Sequence, residues 1–303
     1  MISICIPVYN FDVTPLVREL LMQAKLLTVP YEIILIDDCS GKEYKSINAK
    51  VCEKEVYIQL AENIGRAKIR NLFLSYTQYD NLLFLDCDSL VVRNDFLQKY
   101  IDVINQRSYN VVCGGRVYDL KRPERSKMLR WKYGIGRESQ PVEVRRRFPN
   151  KSFMTSNFLI NRKILASIRF DERIRDYGHE DTLFGYALKL KGIPIDHIDN
   201  PILNGDLEDN WEYLAKTEKG IVNLLHILDF VNYEEDFIND VSLLRFYSKV
   251  KRFKKMIGVI FLWMKPLIKL LLARGFVNLF LFDFYKLGFL VMCQRRAVVN
   301  DRI

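Results

Sequence analysis

Five short apolar runs separated by helix-patterned stretches fill the first 115 residues, and this alternation constrains the fold more than any other feature. Ile2–Ile6, Tyr31–Ile36, Val56–Leu60, Leu82–Leu85 and Asn110–Cys113 read as buried strands. Thr14 followed by Pro15 reads as an N-cap and first helical residue, with Leu16, Leu20, Ala24 and Leu27 recurring on one face. Such an order predicts an α/β chain whose mostly parallel sheet carries helices on both faces and binds ligands at the carboxyl ends of its strands. Further on, Phe153–Asn161 reads as a strand, His179–Gly192 as a helix, Ile193–Ile198 as a strand and Glu208–Phe230 as a helix. Residues 116–151, with twelve Lys and Arg against four acids and little periodicity, read as a long surface loop or insertion.

Charge divides the chain more sharply than periodicity does. Residues 249–303 hold 12 Lys and Arg against two Asp, a net +10 within a total of +9, so residues 1–248 are nearly neutral. A nucleic-acid groove across the core is therefore not expected, and the positive charge belongs to a tail. The six cysteines are scattered without a C-x-x-C pair, which fits a reducing cytosol. Met1 leads directly into an apolar strand with no basic region before it, so no secretory signal is expected.

The chemistry-bearing residues collect at predicted strand ends. Asp86-Cys87-Asp88 closes the run Leu82–Leu85, and two carboxylates of equal phase there suit a hard cation that completes its shell with phosphate oxygens and water. A solvated strand-end turn would read the same way. Asp37 and Asp38 end the second strand on the same edge, as base or ribose acceptors or as an Asx turn. Pro7-Val8-Tyr9-Asn10 closes the first strand, with Tyr9 offering a flat face to a base. Asn63-Ile64-Gly65 opens a helix bearing Arg66, Lys68 and Arg70, suited to a diphosphate or simply solvated. His179-Glu180-Asp181 begins another helix with two acids, either as a helix-start preference or as the source of a general base. His197 and His226 lie singly among apolar neighbours and read as packed imidazoles.

Taken in order, Ile4–Asn10, Ile36–Ser40, Asn63-Ile64-Gly65 with Ala67 and Arg70-Asn71, Leu85–Asp88 and Gly178–Asp181 resemble the family 2 glycosyltransferases over roughly residues 1–230. The resemblance implies a GT-A fold and an inverting transfer from a nucleotide-diphosphate sugar, a UDP-sugar first, to an acceptor hydroxyl; a lipid-linked saccharide that shares the membrane surface with the tail is the expected acceptor, with a soluble saccharide as the other. It implies that Pro7, Tyr9, Asn10, Asp37, Asp38, Arg70 and Asp86 serve the nucleotide, and that Asp86 and Asp88 hold Mn²⁺ or Mg²⁺. It further implies that Asp181 is the base with Glu180 beside it. One departure stands out: relatives commonly carry His in Asn-Pro-x-x-His, where this chain has Asn204, whose carbonyl can still ligate a hard ion.

The expected organisation is a nucleotide-binding half, 1–115, an acceptor half, 116–248, and a tail, 249–303, lying on an anionic cytoplasmic membrane face. Lys265, Lys269, Arg274, Asp283 and Lys286 are expected to interrupt every apolar stretch long enough to span. Packing of the tail on protein is the alternative. A dehydrogenase is disfavoured because Pro7 stands where G-x-G-x-x-G would begin, and no P-loop is present. A sugar nucleotidyltransferase and a catalytically silent sugar-nucleotide-binding protein remain as alternatives. Oligomeric state is left open.

Overall fold

The computed structural model describes residues 1–52, 55–106, 109–174 and 177–300, with side chains through 294; residues 301–303 of the predicted tail lie outside the described residues. The chain divides into two compact units. One comprises Met1–Asp119, Glu138–Arg175 and Glu180–Asp206; the other comprises Leu120–Arg137, Asp176–His179 and Leu207–Ile303.

The first unit is built on strands β1 (Ile2–Val8), β2 (Tyr31–Asp37), β3 (Val56–Gln59), β4 (Asn81–Leu85), β5 (Ser89–Val91), β6 (Val111–Cys113), β7 (Arg116–Val117), β8 (Asn157–Asn161), β9 (Ile195–His197) and β10 (Ile202–Asn204). The main sheet runs β3-β2-β1-β4-β8-β6-β9. It is parallel except where β8 lies antiparallel to β4 and β6. A small sheet of order β5-β10-β7 follows the β4 turn. Period-two alternation distributes β1 and β2 between two cores: Ile2, Ile4, Ile6, Ile33 and Leu35 pack with Val13, Leu16 and Leu20, while Cys5, Ile34 and Ile36 pack with Ala67, Ile69 and Phe73. Helices therefore cover both faces, as the alternation predicts.

The second unit is helical, with Asn210–Phe230, Lys254–Ala273 and Leu279–Asn300 as its longest elements. Asp209 caps the first of these by accepting from the Glu212 amide at 2.9 Å. Buried Asn210 ties three segments together: its carbonyl accepts from Leu129 N at 2.8 Å, and its amide donates to Arg125 O at 2.8 Å and Ala273 O at 3.0 Å.

Several expectations need correction. Residues 116–151 are not one loop: they contain helices Met128–Tyr133 and Val142–Arg147, and Met128, Leu129 and Arg145 are buried. Clustered Lys and Arg hide the apolar side chains between them. Thr14 is the first residue of its helix and does not cap it; Asp12 accepts the Thr14 amide at 2.9 Å. Strand β8 starts only at Asn157, because the preceding backbone turns to let Ser156 O accept from Asp86 N at 3.1 Å. The last stretch of the second unit begins at Leu207, and within that unit Asn210 bonds Arg125 of the 120–137 segment and Ala273 of the tail.

The tail also differs in detail. Ser242–Ala273 is helical over 32 residues, with a 3₁₀ turn at Lys251–Phe253, and holds an 18-residue window of mean hydropathy 1.9 with no more than two charged residues. Lys265 and Lys269 do interrupt that window, as expected from the sequence, and the stretch is still long and apolar enough by composition to cross a membrane. Lys265 and Lys269 point at Glu218 on the Asn210–Phe230 helix, at 3.9 and 3.0 Å, so they spend their charge on protein. Phe282, Tyr285, Leu290 and Val291 of the last helix are buried, so that half of the tail packs inside its unit.

Candidate active site

Because β2, β1 and β4 are adjacent and parallel, their carboxyl ends lie side by side. Val8 pairs with Asp37, which brings the exits of β1 and β2 together. Two local bonds then lock these exits: the Asn10 amide donates to Ser40 Oγ at 2.8 Å, and Asn10 Oδ1 accepts from Gly41 N at 2.8 Å. Asn10 adopts a left-handed φ of 47°, which Asn tolerates better than most residues. Pro7 is half-buried in β1, and Tyr9 stands exposed at the edge.

Asp37 and Asp38 hold the loops of this edge. Asp37 is fully buried; its Oδ1 accepts from Ser40 N at 2.7 Å and its Oδ2 from the Tyr57 hydroxyl at 2.7 Å. Asp38 accepts from Ile64 N at 2.7 Å and Gly65 N at 3.0 Å, which fixes the turn into the helix Arg66–Leu72. Burial pushes its carboxyl up, and the two amides offset that in part. Gly65 has φ 83°, a value that L side chains rarely adopt.

Asp86 follows β4 directly and carries two guanidinium groups, one on each oxygen. Arg70 Nη2 donates to Oδ1 at 2.9 Å, and Arg116 Nη2 lies 3.3 Å from Oδ2. Burial opposes ionisation of Asp86, but Arg70, Arg116 and Arg66 together hold its carboxyl below the usual range. Arg116 Nη2 also lies 3.6 Å from Asp88 Oδ1, so one positive group is shared by both carboxylates. Asn204 reaches this turn through strand pairing: it faces Ser89 across β10 and β5, and Gly205 N donates to Asp88 O at 2.8 Å.

Arg70 is only 2 % exposed and lies beneath the site without reaching its surface. Its Nη1 donates to Arg66 O at 3.0 Å and lies 3.8 Å from Glu180 Oε1, while Arg66 Nη1 approaches the same oxygen at 3.5 Å. Glu180 and Asp181 begin the helix Glu180–Leu190, after Gly178 and His179 with φ of 99° and 68°. Burial, then the neighbouring Glu180 charge, pushes the Asp181 carboxyl up to about 7, against pulls from the Thr182 amide and Arg70. A carboxyl in that range suits a general base near neutral pH.

Arg116 stands outside every motif, and the Gly114-Gly115 pair before it is the one local signal. Gly115 has φ 95°, and a Cβ there would meet the Arg145 guanidinium at 2.8 Å. Buried Arg145 donates to Cys113 O at 3.2 Å, Gly114 O at 3.1 Å and Ile198 O at 2.8 Å, which pins the turn that presents Arg116. His197 is buried, takes a bond from Arg145 at 2.9 Å, and is kept neutral by burial with its pKa lowered to about 4.

Two carboxylates and one amide carbonyl at a strand end are hard oxygen donors, and the guanidinium nitrogen between the carboxylates marks where positive charge is favoured. The donor set fits a divalent cation that completes its shell with substrate oxygens. Among the described residues no three His, Cys, Asp or Glu side chains cluster to hold an ion unaided.

The sequence pattern of the family described as Glycosyl transferase family 2 matches residues 3–169. An uncharacterized glycosyltransferase of Haemophilus influenzae is 26% identical over 187 residues, 61% of this chain and 70% of the relative. The structure of S. aureus TarS superposes with a TM-score of 0.50 at 19% identity over 75% of this chain, and the match spans only 39% of TarS. Glucosyl-3-phosphoglycerate synthase from Mycobacterium tuberculosis, solved with Mn²⁺, UDP and glucosyl-3-phosphoglycerate, gives a TM-score of 0.51 at 16% identity, covering 75% of this chain and 78% of the synthase. At such identities the likeness is one of fold.

Proposed function

The chain belongs to glycosyl transferase family 2 and has its GT-A-like α/β fold, and on that premise we propose that it is an inverting transferase moving a sugar from a UDP-sugar to a hydroxyl of a saccharide or lipid-linked saccharide. The observation that carries this reading is the network in which one buried residue, Arg70, contacts both Asp86 at the β4 end and Glu180 beside Asp181. Direct displacement at the anomeric carbon requires a base on one side of the sugar and a stabilised diphosphate on the other, and the network joins a candidate for each.

Asp181 takes the proton from the attacking hydroxyl, and its raised carboxyl is ionised in enough molecules at neutral pH to do so while remaining basic. Glu180, held by Arg66 and Arg70, positions the start of that helix. Exposed Tyr9 borders the base, with Pro7 and Asn10 shaping the edge beneath it. Asp37 and Asp38 act by holding the Ser40 and Gly65 turns. Asp86 and Asp88, with the Asn204 carbonyl beside them, would hold Mn²⁺ or Mg²⁺, which when bound supplies positive charge to the departing diphosphate. The M. tuberculosis synthase, solved with Mn²⁺ and UDP, supports that choice of ion and nucleotide.

The second unit is assigned to the acceptor and to a membrane surface. Val259, Leu262, Trp263, Leu267 and Leu270 are exposed on Lys254–Ala273, with Trp263 at 84%, and Lys249, Lys251, Arg252, Lys254 and Lys255 are exposed just before or at its start. An apolar face behind a basic cluster suits an anionic bilayer interface on the cytoplasmic side. Thermal stabilisation by a panel of UDP- and GDP-sugars with and without Mn²⁺ tests the donor assignment: UDP-sugars with Mn²⁺ should raise the melting temperature most. Stabilisation by no nucleotide sugar would contradict it.

A further inference from the structure

We infer that Arg116 is a resident counter-ion of the Asp86–Asp88 pair that a divalent cation must displace, so that metal and nucleoside diphosphate enter the site cooperatively; the inference rests on the metal site proposed above. The geometry comes first. Arg116 Nη2 lies 3.3 Å from Asp86 Oδ2 and 3.6 Å from Asp88 Oδ1, the position from which one cation reaches both carboxylates. A divalent ion ligating both oxygens would need to sit about 2.0–2.6 Å from each, so it would compete with the guanidinium for the same two carboxylates.

Charge gives the consequence. Asp86 and Asp88 carry two negative charges, and Arg70 and Arg116 contact them with two positive charges. The two carboxylates are therefore already paired, and a bare divalent ion gains less there than it would at two unpaired carboxylates. A nucleoside diphosphate changes that balance, because its phosphate oxygens receive both the ion and the released guanidinium. Each ligand then favours the other, and the coupling is reciprocal.

The backbone at Arg116 is fixed, while its head group, paired through Nη2, leaves one donor unpaired. Asn157 donates to Gly115 O at 3.0 Å, and Arg145 ties the preceding carbonyls. Arg116 Nε is buried with no hydrogen-bond partner among the described residues, so the resting position leaves a donor unused. Glu138 also acts on the same guanidinium electrostatically, more weakly than Asp88 and Asp86, and so offers the released group a second acidic neighbour. A group anchored at its backbone and incompletely bonded at its head is suited to exchange partners.

The test is Mn²⁺ titration of the full chain, followed by electron paramagnetic resonance of free Mn²⁺, with and without UDP, for wild type, Arg116→Gln and Arg116→Lys. Wild type should bind Mn²⁺ about 10-fold tighter with UDP than without. Arg116→Gln should bind Mn²⁺ alone about 5-fold tighter than wild type and show less coupling, whereas Arg116→Lys should keep the weak metal-alone binding. Equal Mn²⁺ affinity of wild type with and without UDP would overturn the inference even if Arg116→Gln failed to fold. So would a folded Arg116→Gln that binds Mn²⁺ alone no better than wild type. Mn²⁺ binding that ignores residue 116 leaves the metal site standing. No Mn²⁺ binding by any variant, even with UDP, overturns the site and the inference together.

Discussion

Arg70 Nη2 donates to Asp86 Oδ1 at 2.9 Å from a side chain that is 2 % exposed, so the carboxylate at the end of β4 is oriented from beneath by a buried charge. Arg70→Gln removes that charge and leaves Asp86 with Arg116 in contact and Arg66 nearby. Because Asp86 is partly accessible, the expected loss is about 2 kcal/mol or more of stability, less than for a fully buried pair. Urea unfolding would measure it, and an unchanged midpoint would remove Arg70 from the framework of the site.

Asp181 gives a pH signature with a defined sign. Its folded pKa of about 7 lies above the ordinary carboxylate value, so the folded state binds this proton more tightly than the unfolded chain. That contribution to stability is present below about pH 4 and is lost as pH rises toward 7. Asp181→Asn cannot ionise there and should raise the melting temperature relative to wild type at pH 8 but not at pH 4. Equal differences at both pH values would refute the shift.

The same carboxyl must be ionised to accept a proton. kcat/KM for transfer should therefore fall as pH drops below about 7. A profile flat from pH 5 to 8 would assign the base elsewhere.

Much of the first unit was legible because strand-end carboxylates reveal themselves by phase: Asp38 and Asp86 fall at the ends of runs that can only be buried strands. What escaped depends on long-range pairing. Arg116 meets Asp86 through the small sheet, where Ile202 pairs with Arg116 from 86 positions away. Arg145 belongs to a run of three arginines in which no local pattern marks the one that faces inward to Cys113, Gly114 and Ile198. The tail lysines escaped for the same reason, since Glu218 lies on another helix. Asp37 and Asp38 were legible in place but not in use, because the amides that occupy them come from turns whose geometry a sequence does not display.

Arg145→Ala should therefore behave as a core mutation despite its basic surroundings. Three carbonyls lose a charged donor, although Cys113 O and Gly114 O keep the Ile198 and Asn200 amides, at a cost of about 1–3 kcal/mol. Arg147→Ala, exposed in the same helix, should change stability by less than about 0.5 kcal/mol. Equal effects in thermal unfolding would mean that the buried role is wrong.

Membrane contact is best tested on the exposed face, since the tail supplies core residues such as Leu272 and Tyr285 and its removal would unfold its unit. Trp263→Glu with Leu267→Glu should abolish flotation with anionic vesicles and leave the melting temperature unchanged. Wild-type flotation should weaken in high salt. Flotation of the double variant at wild-type levels would assign that face to another partner.

The central claim is that Asp181 is the base for transfer from a nucleotide-diphosphate sugar, and its most direct measurement is release of UDP from a panel of UDP-sugars with Mn²⁺ and a saccharide acceptor. Wild type should release UDP from at least one donor. Asp181→Asn should bind UDP with wild-type affinity and release it about 100-fold more slowly or worse. Equal release by both proteins, or none by wild type across UDP- and GDP-sugars with soluble and vesicle-borne acceptors, would contradict the account.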